Sequence, residues 1–193
     1  MILRAFRRSP RARTQAYTID ALYGAIVAQA RSPAFYTHYG VPDTVEGRFE
    51  LLVLHLVLML RRFGGGDEAV SGQDRHDGRA FGQNLFDRFC RDLDHNLREM
   101  GVGDLAVPKR MRRFAEAFYG RQAAYLAALA GADPHALENA LARNIFAETT
   151  ADQRAARLAR YTGAAAGKLD TAGEGALAAG EAAFPRPEAF LDE

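Results

Sequence analysis

The segment Leu51-Leu-Val-Leu-His-Leu-Val-Leu-Met-Leu60 constrains the fold more than any other part of the chain. Apolar residues occupy nearly every position rather than one stripe, so a helix built from it must be surrounded by other elements. A membrane span needs ~20 such residues. This run closes after ten at Arg61 and Arg62, with His55 inside it, and no secretory signal of the usual form is read ahead of it. It therefore reads as the central helix of a bundle.

The rest of the chain supplies the surrounding helices. Tyr23, Ile26, Val27 and Ala30 recur at three and four spacing, which predicts a first helix over Asp20 to Arg31, ended by Ser32-Pro33. The connector to Pro42 holds Phe35, Tyr36, His38 and Tyr39, too aromatic for a merely solvated loop. Asp43 with Glu46 fits a capping box opening the central helix. Residues 64–79, rich in Gly and Asp, read as a flexible loop; a phosphate cradle there lacks the strand, the Lys and the following Ser/Thr. Phe81, Leu85, Phe89, Leu93, Leu97 and Met100 form the stripe of a helix over Ala80 to Met100, with Gly101 as its C-terminal cap. Pro108 opens the next helix, striped by Met111, Phe114, Phe118, Tyr125 and Leu129, and Pro134 another with Leu137, Leu141 and Ile145. Short helices are expected around Leu158 and Leu177, with order falling toward the end. With no strand pattern or repeat, the expected class is all-α, one helical domain over 15–165 between a basic arm (1–14) and an Ala/Gly-rich segment (166–193).

Chemistry is sparse. The 193 residues carry 25 Lys+Arg against 24 Asp+Glu, so no overall basic field points to nucleic acid. Cys90 is a lone cysteine, which excludes a disulfide framework and a cysteine zinc site; it reads as a small buried hydrophobe against the alternative of a reactive thiol. The five histidines fit no helical metal signature, and no catalytic, metal or cofactor site is assigned. His55 has two readings, a core histidine satisfied by its neighbours or a haem or metal ligand. Asp87, Asp92, Asp94, His95 and Glu99 read as a mixed-charge solvated face beside Arg91 and Arg98, or as a polar enzyme site if they converge in an enclosed pocket. The basic arm, with Arg4, Arg7, Arg8, Arg11 and Arg13 and no acid, admits three readings: a disordered arm, a membrane- or partner-binding patch, or a targeting remnant.

Three linked motifs carry a resemblance. They are Ala30-Arg31-x-Pro33-x-x-Tyr36, then Gly40-Val-Pro42-Asp43-Thr44-x-x-Gly47-Arg48-Phe49-Glu50, then Leu97-Arg98-Glu99-x-Gly101-Val-Gly103-Asp104. In this order on an all-helical chain they resemble the ubiquinol–cytochrome c chaperone family, assembly factors of the cytochrome bc1 complex related to the yeast cytochrome b chaperone. The resemblance implies a non-enzymatic role, binding newly made cytochrome b at the membrane surface, with no cofactor. It also implies a bacterial protein in the cytoplasm, peripheral at the inner membrane, or on the matrix side if mitochondrial. Only about 15 residues precede the first predicted helix, fewer than in mitochondrial members, so the need for a second assembly factor stays open. The polar or amphipathic residues on or beside the motifs are the candidate partner-binding set: Tyr36, Tyr39, Asp43, Arg48, Arg98, Asp104, Lys109 and Arg113. Each has a structural alternative, as a cap, an ion-pair member or a core-closing ring. The competing function is a helical binding module for haem or a lipophilic small molecule, with His55 or His38 as ligand.

Overall fold

Helix α3 (Val45–Gly64) is the axis of an all-α bundle, and Leu51 with every residue from Val53 to Met59 is buried in it. The computed structural model describes residues 10–64, 72–182 and 184–191, with side chains from 14, 76 and 184 onward in the three stretches. Around the axis lie α1 (Pro10–Ala30), α4 (Gly72–Glu99), α5 (Val107–Ala130), α6 (Ala136–Ile145) and α7 (Gln153–Asp170), all of which touch α3. The short α2 (Pro33–Thr37), α8 (Glu174–Ala178) and a 3-10 turn at Pro187–Phe190 close one side, and no strand occurs among the described residues.

Several boundaries differ from the sequence reading. The first helix starts at Pro10, ten residues early, so Arg11 and Arg13 of the expected arm belong to α1, while Arg4, Arg7 and Arg8 lie outside the described residues. Residues 72–79 are helical rather than loop, since α4 begins at Gly72; of the rest of that expected loop, Gly64 ends α3 and 65–71 lie outside the described residues. Asp43 does not cap α3. Thr44 does, its hydroxyl accepting from the Gly47 amide at 3.1 Å. Pro134 precedes α6, which starts at Ala136. The helix around Leu158 is the full α7, capped by Asp152, whose carboxylate accepts from the amides of Arg154 and Ala155, and it runs across the expected boundary at 166.

The C-terminal segment is packed where order was expected to fall. Phe184 meets the His55 ring edge-on at 5.2 Å and Phe190 meets Tyr161 at 6.0 Å. Gln29 donates to the Pro185 carbonyl at 2.9 Å, and the buried Tyr39 hydroxyl donates to that of Pro187 at 2.6 Å. A proline segment offers carbonyls without needing a backbone partner at its own nitrogens, which suits it to lie across side chains rather than in a ladder.

Beneath it His55 is satisfied on both sides. Its Nδ1 lies 2.7 Å from the Leu51 carbonyl, which can only accept, so the proton sits on Nδ1. Nε2 then accepts from the Tyr161 hydroxyl at 2.7 Å, and the Tyr161 oxygen accepts from Gln29 at 3.0 Å. The relay joins α1, α3 and α7, with His55 and Tyr161 fully buried and Gln29 partly so. Burial holds the imidazole pKa down at about 4, from 6.5. Between those values the unfolded chain binds a proton that the folded chain refuses, so stability falls as pH drops through this window. The span corresponds to roughly 3 kcal/mol, fully lost below about pH 4. Urea unfolding of the wild type and of His55→Gln at pH 7 and 4.5 checks this: the variant is weaker at pH 7 but loses less on acidification. Equal acid losses in both would remove His55 from the account.

Candidate functional site: one end of the bundle and a groove at the other

The motif residues form two surface clusters. In the first, Asp43 pairs with Arg48 at 2.6 Å, and the Arg48 guanidinium lies 6.0 Å from the centre of the Tyr36 ring, whose hydroxyl donates to the Ala30 carbonyl at 2.9 Å. The Arg48 guanidinium holds the Asp43 carboxyl below its usual range. Both side chains are more than half exposed, so the pair itself contributes little to stability. Tyr39 is different. It is fully buried against Phe35 and Tyr161, burial pushes its pKa up to about 12, and a partner could reach it only if residues 184–191 moved.

The second cluster is the α4–α5 turn. The Gly101 amide donates to the Arg98 carbonyl and the Val102 amide to that of Leu97, both at 3.0 Å, with Gly101 at φ 78°. This is the double bond pattern that ends a helix with a left-handed residue. Arg98 bridges Asp94, at 2.8 Å, and Asp104, tying the turn to the helix it follows. Lys109 and Arg113 stand exposed on the first turns of α5. Phe114 beside Arg113 meets Phe49 beside Arg48 at 5.0 Å, and Phe49 meets Phe89 at 6.3 Å. The structure thus draws the start of α3 and the start of α5 together through Phe49 and Phe114, which follow Arg48 and Arg113 in the sequence.

Sequence reasoning missed the opposite end. There Leu60, Phe63, Phe86, Phe118 and Tyr119 line a groove of about 250 Å³ between α3, α4 and α5, with Arg79 at its edge. Tyr119 is half-exposed there, stacked on Phe86 at 5.9 Å. Phe118 and Tyr119 are adjacent in sequence on an amphipathic helix whose apolar stripe takes Phe118, and that doublet was the available signal.

The remaining candidates resolve into structure. Asp94, His95 and Glu99 form an open row on α4, with His95 and Glu99 paired at 3.1 Å and both about two-thirds exposed, while Asp87, Asp92 and His95 border a groove against α1. A polar groove of about 730 Å³ between α1 and α4 is crossed by Arg88, which pairs with Asp20 at 2.8 Å and sits over the Tyr23 ring. His55 has no free ring nitrogen for haem or metal, and His38 is exposed with its carbonyl accepting from Arg157. Cys90 is half-buried, and burial raises its thiol pKa away from thiolate reactivity. Among the described residues no group of three potential ligands could hold a metal, and no helix is long and apolar enough to cross a membrane.

Against this geometry, the model of the ubiquinol-cytochrome c chaperone family matches residues 37–184. The chain belongs to this family. The chaperone fold also superposes on the crystal structure of the Cbp3 homolog from Brucella abortus with a TM-score of 0.79 at 39% identity, covering 97% of this chain and 98% of that one. Among curated proteins nothing matches. The family match begins just after Tyr36, takes in the Asp43–Arg48 pair, the α4–α5 turn and the aromatic groove, and stops at Phe184, where the segment over His55 begins.

Proposed function

We propose that this chaperone binds newly made cytochrome b during biogenesis of the cytochrome bc1 complex, acting in the cytoplasm at the inner face of the membrane and carrying no catalytic step of its own. The observation that carries the reading is the agreement of the family match with a superposition over nearly the whole of a Cbp3 homolog. The surface is consistent with it. A helical bundle presents exposed cations at one end and an apolar groove at the other, the combination that engages loops and amphipathic segments of a membrane protein before they are assembled. Within the candidate set, Tyr36, Asp43, Arg48, Arg98 and Asp104 are client-facing; Tyr39 supports them from within, and Lys109 and Arg113 flank the same end of the bundle. The aromatic groove at Tyr119 is added to the client surface.

Photo-crosslinkers placed at Tyr36, Arg48, Arg98 and Tyr119 in the native cell are expected to capture cytochrome b. Deletion of the gene is expected to lower cytochrome b and bc1 complex severalfold while soluble metabolic activities hold. Normal bc1 assembly in the deletion strain, with no cytochrome b captured, would overturn the reading.

A further inference from the structure

The α4–α5 turn presents an apolar tip that the fold does not bury. Leu105 is 98% exposed and Met100 68% exposed, yet the turn between them is ordered by the Gly101 and Val102 amide bonds, by the Arg98–Asp104 pair, and by the Ala106 amide donating to the Gly103 carbonyl at 2.8 Å. Exposure here is therefore built in, and is not the fraying of a helix end. The Val107 amide also bonds back to the Gly103 carbonyl, four residues earlier, so helical geometry begins before α5 itself. Leu105, Lys109 and Arg113 consequently fall on one line at four-residue spacing, with Arg110 beside them. Among the described residues none of Lys109, Arg110 and Arg113 has a carboxylate partner, whereas Arg112 on the neighbouring strip is paired to Glu116 at 2.9 Å.

We infer that this turn is a membrane-docking tip for an anionic bilayer: Leu105 and Met100 enter the interface while Lys109, Arg110 and Arg113 meet lipid phosphates. The occupant follows from the chemistry of the strip. A leucine held outward by a locked turn, followed at helical spacing by three unpaired cations, matches a surface that is apolar below and anionic above. A soluble acidic partner would use the cations but would leave Leu105 in water. The inference does not depend on which client the chaperone binds.

The full chain is tested by flotation with phosphatidylcholine vesicles, with and without phosphatidylglycerol. Binding is expected only with the anionic lipid and to weaken as salt is raised. Lys109→Glu/Arg110→Glu/Arg113→Glu is expected to weaken partition about 100-fold or more, each basic residue contributing about fivefold. Met100→Ser/Leu105→Ser should weaken it by about tenfold per apolar side chain while melting as the wild type does. A polarity-sensitive fluorophore on Leu105→Cys, in a Cys90→Ala background, should shift to the blue on anionic vesicles, which distinguishes the tip from any contribution of residues 1–9. Unchanged flotation of both variants, a fluorophore that stays in water, or crosslinking at position 105 to a protein partner with no lipid binding would each overturn the proposal.

Discussion

Gly47→Ala lowers the melting temperature by ~6–12 °C, the effect of about 3 kcal/mol or more in a domain of this size. Helix propensity alone predicts the reverse, because alanine in a helix is better than glycine by roughly 1 kcal/mol. Packing decides the sign. A Cβ at Gly47 would sit 2.0 Å from the Pro42 carbonyl oxygen, so the chain entering α3 would have to move as backbone rather than as a flexible side chain. That shift displaces Val41, which is buried, and strains the Thr44 cap bond to the Gly47 amide. Gly163→Ala in α7 is the control: nothing lies within 4 Å of its added methyl, and it should stabilise by ~0.5–1 kcal/mol. Thermal melts of the two variants side by side test the argument, and a neutral or stabilising Gly47→Ala would refute it.

Arg121→Met is expected to cost about 3–5 kcal/mol at pH 7. Glu50 is 9% exposed, and Arg121 grips both of its oxygens at 2.5 Å from Nε and Nη2 while its Nη1 donates to the Ala117 carbonyl. Removing the guanidinium strands a buried carboxylate. Even in the wild type, burial outweighs the pairing and holds the Glu50 pKa above its ordinary value. In the variant the folded chain therefore binds a proton at a pH where the unfolded chain does not, and stability recovers as pH falls toward the unfolded value near 4.5. Urea unfolding at pH 7 and pH 5 separates the causes: recovery at low pH marks the stranded charge, and an equal loss at both would mean lost packing. Glu50→Gln/Arg121→Met should regain much of the loss at pH 7, since a neutral amide costs less to bury than a carboxylate.

These two positions also mark how far the sequence can be read. Gly47 and Glu50 lie in the motif that pointed to the family, yet the partner of Glu50 is 71 residues away on another helix, and no spacing rule connects them. Local signals served well where the cause is local. The apolar run of α3, the packed Phe35 and Tyr39, and the left-handed Gly101 all follow from periodicity, composition or backbone freedom, whereas the choice between the two readings of His55 had to wait for Tyr161, 106 residues on. The start of α4 failed because Gly72, Gly78 and the intervening aspartates lower intrinsic helix preference, which neighbouring turns of a long helix override. The Thr44 cap was misassigned to Asp43 because either residue can accept from a first-turn amide, and only the placement of the turn selects between them. At the candidate surface, the motif residues were visible, but the tip at Leu105 was not. A single apolar side chain in a Gly- and Pro-bounded turn carries no periodicity that would mark it as exposed or buried, and the cations that follow it were not connected with it.

The bonds across residues 184–191 set an order of events. Gln29 leaves the ribosome early, whereas the Tyr161 hydroxyl and the Pro185 carbonyl that it serves are made 132 and 156 residues later. Tyr39 waits 148 residues for Pro187, and His55 waits 106 for Tyr161. Until those late segments emerge, the nascent bundle holds a core with open donors and an uncovered histidine, so cooperative closure waits for residues 184–191 rather than proceeding helix by helix. A chaperone built in this way must itself be finished before its surface is dependable.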